Sequence, residues 1–219
     1  MRADAALQAL LRERLAAWPR QAIDVAALRH AAVALVLIDE GDGAHLPGVA
    51  EPPAWSDEAA LLVTLRAATL RRHGGQFALP GGRIDDGETP EQAALRELAE
   101  EVDLRLDDDA VLGRLDDYAT RSGYVITPVV LWGGAARDLR GNPDEVASIH
   151  RIPIAELQRP DAPLLTQEAP GESPVLRMPV GDGWIAAPTA ALLYQFREVC
   201  IEGRPTRVAH FGQPRFAWQ

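Results

Sequence analysis

The chain has 219 residues, 47% of them hydrophobic and 25% charged, an ordinary globular balance in a chain long enough to bury a real core. Acidic residues outnumber basic ones 32 to 22, for a formal net charge of −10. That argues against broad non-specific binding to nucleic acid or to an anionic membrane, but not against a small anionic ligand met by a local basic pocket or a bound cation. Cys200 is the single cysteine, which excludes a disulfide framework and a thiolate metal cluster and fits a reducing compartment.

The N-terminal stretch MRADAALQALLRERLAAW lacks the continuous apolar core of a signal peptide. It reads as an amphipathic helix with Leu7, Leu10, Leu11 and Leu15 on one side. AAVALVLID then has the pattern of a buried strand. Its aliphatic run is far too short to span a bilayer, so a soluble, cytoplasmic protein is expected. Residues 40–57 are rich in Gly and Pro and form a loop, and ALLVTLRA is a second strand. A glycine-rich segment and an acidic helix follow. VLGRLDDYAT and YVITPVVLWGG predict two strands around a turn near Ser122-Gly123. EVASIHRIPIAELQ runs from strand into short helix. VLRMPV and WIAA, separated by GDG, predict a hairpin. A last helix begins near Thr189, with Leu192, Leu193, Phe196, Val199 and Cys200 at helical spacing. Without an internal repeat or a domain linker, the expectation is one α/β (α+β) domain over residues 1–219, with an N-terminal helical extension and a C-terminal helix plus tail.

The acidic helix carries the chemistry. Thr89 suits the N-cap, Pro90 the first helical position, and Gln92 the far side of a capping box. The helix runs to about Val102. Glu97, Glu100 and Glu101 then share one face, with Cβ atoms roughly 5–6 Å apart. Leu95, Leu98 and Val102 anchor an adjacent face, while Ala93 and Ala94 are small enough to admit another backbone or a ligand. Like charges so close repel. Either solvent tolerates them, or a hard cation sits among them, since Mg²⁺ takes carboxylates, water and substrate phosphates. Gly81-Gly82 can bring a backbone carbonyl to the same spot, having no Cβ in the way.

From Gly82 the spacing is five residues to Glu88, seven more, then Arg96-Glu97-Leu98-x-Glu100-Glu101-x-x-Leu104. This resembles the Nudix box, G-x5-E-x7-R-E-U-x-E-E-x-G-U with U aliphatic. The one departure is Asp103 in place of the last glycine, and Asp also tolerates a left-handed cap. The resemblance implies an α/β/α sandwich around a mixed β-sheet and a hydrolase of nucleoside diphosphates linked to another moiety. It implies Mg²⁺ or Mn²⁺, with Glu97, Glu100 and Glu101 as metal ligands assisted by the carbonyl of Gly81. Arg96 would orient the carboxylates, and Glu88 and Gly82 would support the loop and helix from behind.

Upstream, Leu62-Val63-Thr64-x-Arg66-Ala67, then Arg71, Gly75 and Leu79-Pro80-Gly81-Gly82 resemble the coenzyme A pyrophosphatase signature L-L-T-x-R-[SA]-x3-R-x3-G-x3-F-P-G-G. Val63 and Leu79 are the departures, both apolar. The two motifs together cover residues 62–104. The resemblance implies cleavage of coenzyme A or its thioesters to 3′,5′-ADP and (acyl-)phosphopantetheine. Glu145, in NPDEV, would sit in a loop near the metals as ligand or general base, so the catalytic set becomes Arg96, Glu97, Glu100 and Glu145. Arg66, Arg71 and Arg72, with His73, form the one basic cluster beside the acidic helix and are candidates to hold substrate phosphates. The alternatives are another nucleoside diphosphate substrate, such as ADP-ribose or a dinucleotide, and a non-catalytic nucleotide-binding module. All three box carboxylates are present, which favours an enzyme. The implied partner is a small-molecule nucleotide, with no nucleic acid and no membrane. A homodimer is compatible with the sequence, which does not determine it.

Other features read as structural. The tail's Arg204, Arg207, Arg215, Phe211, Phe216 and Trp218 are expected to pack on their own domain. His30, His45 and His150 are too scattered for a histidine metal site, and Cys200 reads as a core filler.

Overall fold

A computed structural model describes residues 1–25, 27–70, 74–167, 169 and 171–214. Its centre is β1 (Arg29–Gly41), buried along almost all its length. That burial explains its continuous run of aliphatic residues, since both of its faces are covered. One edge of β1 pairs antiparallel with β2 (Ser56–Arg66), Leu37 facing Leu61, and further along with β4 (Gly81–Arg83), Val33 facing Gly81. The other edge pairs parallel with β7 (Tyr124–Gly134), Ala34 facing Val129. β2 also carries β3 (Phe77–Ala78) and β8 (Val146–Pro153), and β7 carries β5 (Val111–Arg114) and β6 (Tyr118–Ala119). The sheet is therefore mixed, as expected.

Side chains alternate across a strand, and β1 uses the alternation to serve two layers. Ala32, Ala34, Val36 and Ile38 face helix α2 (Pro90–Val102), which packs Ala93, Ala94, Leu98 and Val102 against them. The backbone that Ala93 and Ala94 admit is thus the sheet's own. Leu35 and Leu37 face the opposite layer, built from α1 (Ala5–Ala17) and α4 (Thr189–Phe196). Leu7, Leu11 and Leu15 of α1 are buried there, and Leu10 partly so. These layers form an α/β/α sandwich around the sheet.

β8 runs directly into a short helix, α3 (Ile154–Leu157). The expected hairpin is β10 (Val175–Val180) with β11 (Gly183–Ala186), and β9 (Leu164–Thr166), not anticipated, adds a third strand. α4 loosens into a π-helical turn over Arg197–Ile201, where Cys200 is fully buried.

One expectation fails. VLGRLDDYAT is two strands, because Leu115, Asp116 and Asp117 turn inward between β5 and β6 and are buried. The two carboxylates find donors far away in the chain, which a local pattern does not reveal. The tail folds back on the molecule as far as it is described. Arg207 lies over the Trp18 ring, Phe211 packs edge-on to Tyr194, and Arg204 pairs with Glu198 and Glu202. Arg215, Phe216 and Trp218 lie outside the described residues. Among those described, no helix is long and apolar enough to cross a membrane.

Candidate active site

The acidic helix starts as its sequence requires. The Thr89 side chain accepts from Gln92 N, the Gln92 side chain accepts from Thr89 N, and Pro90 opens the helix. It ends at Asp103, whose φ of 55° is left-handed and whose N–H donates to the Ala99 carbonyl. These two ends fix the rotation of α2: its apolar face meets β1, Glu97 and Glu101 meet Gly82 and Gly81 at the start of β4, and Glu100 lies exposed beside them.

Arg96 binds this edge together. Its Nε and one terminal nitrogen grip Glu88 at 2.9 and 3.1 Å. Its other terminal nitrogen reaches Glu97 at 2.8 Å and Glu100 at 3.3 Å, and a fifth bond goes to the Arg83 carbonyl. The Arg96 guanidinium holds the Glu88 carboxyl below the usual carboxylate range. Glu88 also accepts from Asp85 N, so it ties the loop to the helix. Gly82 has a steric reason to be glycine: a Cβ there would stand 2.1 Å from a Glu97 carboxylate oxygen. At Gly81 a Cβ would strike the β1 backbone at Ala32 and Val33.

Glu101 differs from its neighbours. It is 2% exposed, and its one hydrogen bond from a described residue is a long 3.4 Å contact from the Gly81 N–H. Burial pushes its carboxyl up to about 7, with Glu97 and Glu145 adding repulsion and Arg66 and the Gly81 N–H opposing it. Burial likewise raises Glu97, against the pull of Arg96, and Glu100 and Glu145 add to the rise. Glu145 therefore stands close enough to both carboxylates to act on them. It lies in the turn just before β8, and its carbonyl accepts from Ala67 N at the end of β2. Arg66 acts on Glu101 in the same region, and its buried Nε has no hydrogen-bond partner among the described residues.

Glu88, Arg96, Glu97, Glu100 and Glu101 are thus brought together with Gly81, Gly82, Glu145 and Arg66. Arg71, Arg72 and His73 lie outside the described residues. As they stand, no three acidic, histidine or cysteine side chains among the described residues converge closely enough to form a ready ion cage. Arg96 holds Glu97 and Glu100, and Glu101 turns to Gly81. The donor chemistry nonetheless fits a hard divalent cation: three oxygen donors share one face, two are raised by burial, and Gly82 leaves open the space beside Glu97.

Between Gly81-Gly82 of β4 and the start of α4 lies a cleft of about 330 Å³. Val33, Phe77, Leu79 and Leu192 line it, as does Arg66, whose charge also acts on Glu101. The sequence reading did not find it, because its walls come from β1, β3, α4 and the tail. Its local traces in the sequence are Arg66, Leu79, Gly81 and Gly82, all positions of the upstream signature. His150, outside this cluster, is held between the Ala44 carbonyl and Ser148 and packs on Phe77.

Known proteins resemble this chain in sequence and in fold. A protein from Cronobacter sakazakii (strain ATCC BAA-894) named uncharacterized Nudix hydrolase NudL is 42% identical over 111 residues, 49% of this chain and 57% of that protein. One of the same name from Yersinia pestis (strain Pestoides F) is 43% identical over 100 residues, 45% of this chain and 50% of that protein. The match thus spans about half the length of these relatives. The crystal structure of a MutT/nudix family protein from Enterococcus faecalis superposes with a TM-score of 0.55 at 16% identity, covering 84% of this chain and 67% of that one, a likeness of fold. The family model for the NUDIX domain matches residues 28–177, from the start of β1 through the box helix to β10, and the chain belongs to that family.

Proposed function

We propose that this protein is a divalent-metal-dependent hydrolase of a nucleoside diphosphate derivative, and that its substrate is coenzyme A or acyl-coenzyme A. The products would be 3′,5′-ADP and (acyl-)phosphopantetheine. The observation that carries the reading is the edge of α2, where Glu97, Glu100 and Glu101 lie side by side with Glu145 within electrostatic reach. The relatives named as Nudix hydrolases support the class. The substrate rests on the signature from Leu62 to Gly82. We treat residues 1–219 as one catalytic unit in which α1 and the C-terminal segment complete the core.

In this reading Glu97, Glu100 and Glu101, with the Gly81 carbonyl, would hold Mg²⁺ or Mn²⁺. When bound, such an ion neutralises the pyrophosphate and eases deprotonation of the attacking water. The chain's own groups do the rest. Arg96 keeps Glu97 and Glu100 aligned, with Glu88 bracing it from behind through a two-point ion pair. Glu145 accepts the proton of the attacking water. Arg66, which lines the cleft beside Gly81 and Gly82, would bind a phosphate oxygen through its guanidinium. Arg71 and Arg72 are proposed to join it.

The test is side-by-side kcat/KM with Mg²⁺ for coenzyme A, dephospho-coenzyme A and ADP-ribose. A charge-assisted contact to the 3′-phosphate, worth ~1.5–3 kcal/mol, corresponds to a preference of roughly ten- to hundredfold for coenzyme A. Arg71→Ala should erase much of that gap while dephospho-coenzyme A is still cleaved. Faster turnover of ADP-ribose by the wild-type protein would overturn the coenzyme A substrate and leave the hydrolase reading standing.

A further inference from the structure

The short segment between β7 and β8 is fastened to the acidic helix. The last carbonyls of a helix have no partners within it. On α2, those of Glu101 and Val102 are taken by N–H groups of this segment, Asn142 at 2.8 Å and Arg140 at 3.0 Å. Asn142 then builds the turn that follows. Its side-chain oxygen accepts from Asp144 N at 3.2 Å, and its carbonyl accepts from both Glu145 N at 3.0 Å and Val146 N at 2.8 Å. The Glu145 carbonyl closes the frame by accepting from Ala67 N at 2.8 Å. A short self-bonded turn of this kind is what an Asn side chain supports best. Its two anchors are the end of the helix that bears Glu97 and Glu101 and the end of the strand that bears Arg66.

We infer that Asn142 is a positioning residue: by accepting from Asp144 N, its side chain shapes the turn that its own backbone ties to the Glu101 carbonyl, and so sets Glu145 at a fixed place against the carboxylate edge. The inference rests on the proposed role of Glu145 and extends it to a residue outside both sequence motifs. Nothing in the NPDEV stretch alone marks Asn142, because the helix carbonyl it meets lies 41 residues earlier in the chain. The coupling has a physical consequence. A proton acceptor on an otherwise unsupported turn would sample many positions, and a small misplacement of a reacting group is enough to slow a reaction strongly. With its turn bonded to the helix end, Glu145 moves only when α2 moves.

Asn142→Ala removes the side-chain bond that shapes the turn and leaves the backbone bonds in place, so the fold should survive. With coenzyme A and Mg²⁺, or ADP-ribose where that is cleaved faster, we expect kcat to fall about tenfold with KM little changed. Asn142→Asp, whose carboxylate accepts the same N–H bond, should restore kcat to within about threefold of wild type. In a Glu145→Gln background, Asn142→Ala should add no further loss, because the two residues act as one unit. Wild-type kcat in Asn142→Ala overturns the inference. So does a loss that Asn142→Asp fails to restore, or one that persists in full in the Glu145→Gln background. If Glu145→Gln alone keeps wild-type kcat, the role of Glu145 fails first, and the positioning role falls with it.

Discussion

At the break between β5 and β6, Asp116 and Asp117 are 5% and 6% exposed; on α2, Glu101 is 2% exposed. All three are carboxylates withdrawn from water, but their surroundings differ. Asp116 accepts from Trp18 Nε1, Gln21 N, Gln195 Nε2 and Arg207. Asp117 accepts from Arg20, Ile23 N and Thr127 Oγ1. Both oxygens of each are filled, and the donors come from the segment after α1, from α4, from β7 and from the tail. Among the described residues Glu101 has the single long bond from Gly81 N, and it stands near two further carboxylates. A buried charge is tolerable when it is paired and hydrogen-bonded, and otherwise it takes up a proton. The aspartates are complete as they stand and hold chain segments together. Glu101 lacks such a set of donors among the described residues, which supports its proposed role as a cation ligand.

The largest effect should follow from breaking the Glu101 site. Glu101→Gln keeps the shape and removes the charge. Loss of the several kcal/mol that a bound ion supplies to the transition state corresponds to a fall in kcat on the order of a thousandfold. The fold should persist, since an amide is less costly to bury than a carboxylate. Steady-state turnover at saturating Mg²⁺ checks the first point and urea unfolding the second. Near-wild-type turnover would remove Glu101 from the mechanism.

Asp116→Ala should give the opposite result. It leaves the Arg207, Gln195 and Trp18 donors without their acceptor, for a loss of about 3 kcal/mol, the low end for a broken buried pair because Arg207 is partly exposed. The shift should appear in the urea midpoint, while kcat of the folded fraction stays near wild type. A variant that lost kcat without losing stability would show that the two regions are coupled, contrary to their placement on opposite faces of the sheet.

The contrast also has a pH signature. The Glu101 carboxyl is raised from 4.5 to about 7 in the folded protein. Below 4.5 both folded and unfolded chains carry the proton, and Glu101 contributes nothing to the pH dependence. Between 4.5 and about 7 the unfolded chain gives it up while the folded chain keeps it, so stability falls as pH rises. Above about 7 the penalty is fully present, on the order of 3 kcal/mol. Urea midpoints at pH 5 and pH 8 in the presence of a chelator should therefore show a decline that Glu101→Gln reduces. Mg²⁺ should raise Tm more at pH 8 than at pH 5.5, because a cation needs the deprotonated ligands. A wild-type profile that matches the Glu101→Gln profile would contradict the environment described for Glu101.

This difference between the two regions also marks what could be read from the sequence. The acidic edge is local: three carboxylates, their arginine, both halves of the capping box and the left-handed end all lie within residues 88–103, so helical spacing alone places them together. The strand runs of β1, β2 and β7 were legible for the same reason. In the Asp116–Asp117 region every donor but Thr127 lies 79 or more positions away in the chain. In sequence it is two ordinary surface charges inside a strand-like run. The cleft walls, the third strand of the small sheet and the fastening of Asn142 to α2 likewise depend on tertiary pairing. Periodicity reports which face of an element is apolar, not what meets it.

The smallest effect concerns the one position where the box departs from its pattern. Asp103 holds φ 55° and ψ 27°, a conformation that disfavours any residue with a Cβ and suits glycine best. Its carboxylate also stands at the negative end of the helix dipole. The Arg105 partner at 3.7 Å offers little, because both side chains are largely exposed. Asp103→Gly should relieve the backbone strain and the dipole repulsion together. Against that, glycine frees the unfolded chain, which takes back roughly 0.4–1 kcal/mol. The net change should be a gain of about 0.5 kcal/mol, visible as a small rise in Tm. Activity should not move, since the substitution lies beyond Glu101 and leaves the Ala99 carbonyl bond to the residue 103 N–H intact. If Asp103→Gly instead lowered kcat with stability unchanged, the end of α2 would do more than terminate a helix. The bonds from Arg140 and Asn142 to the last carbonyls of α2 would then be the first place to look.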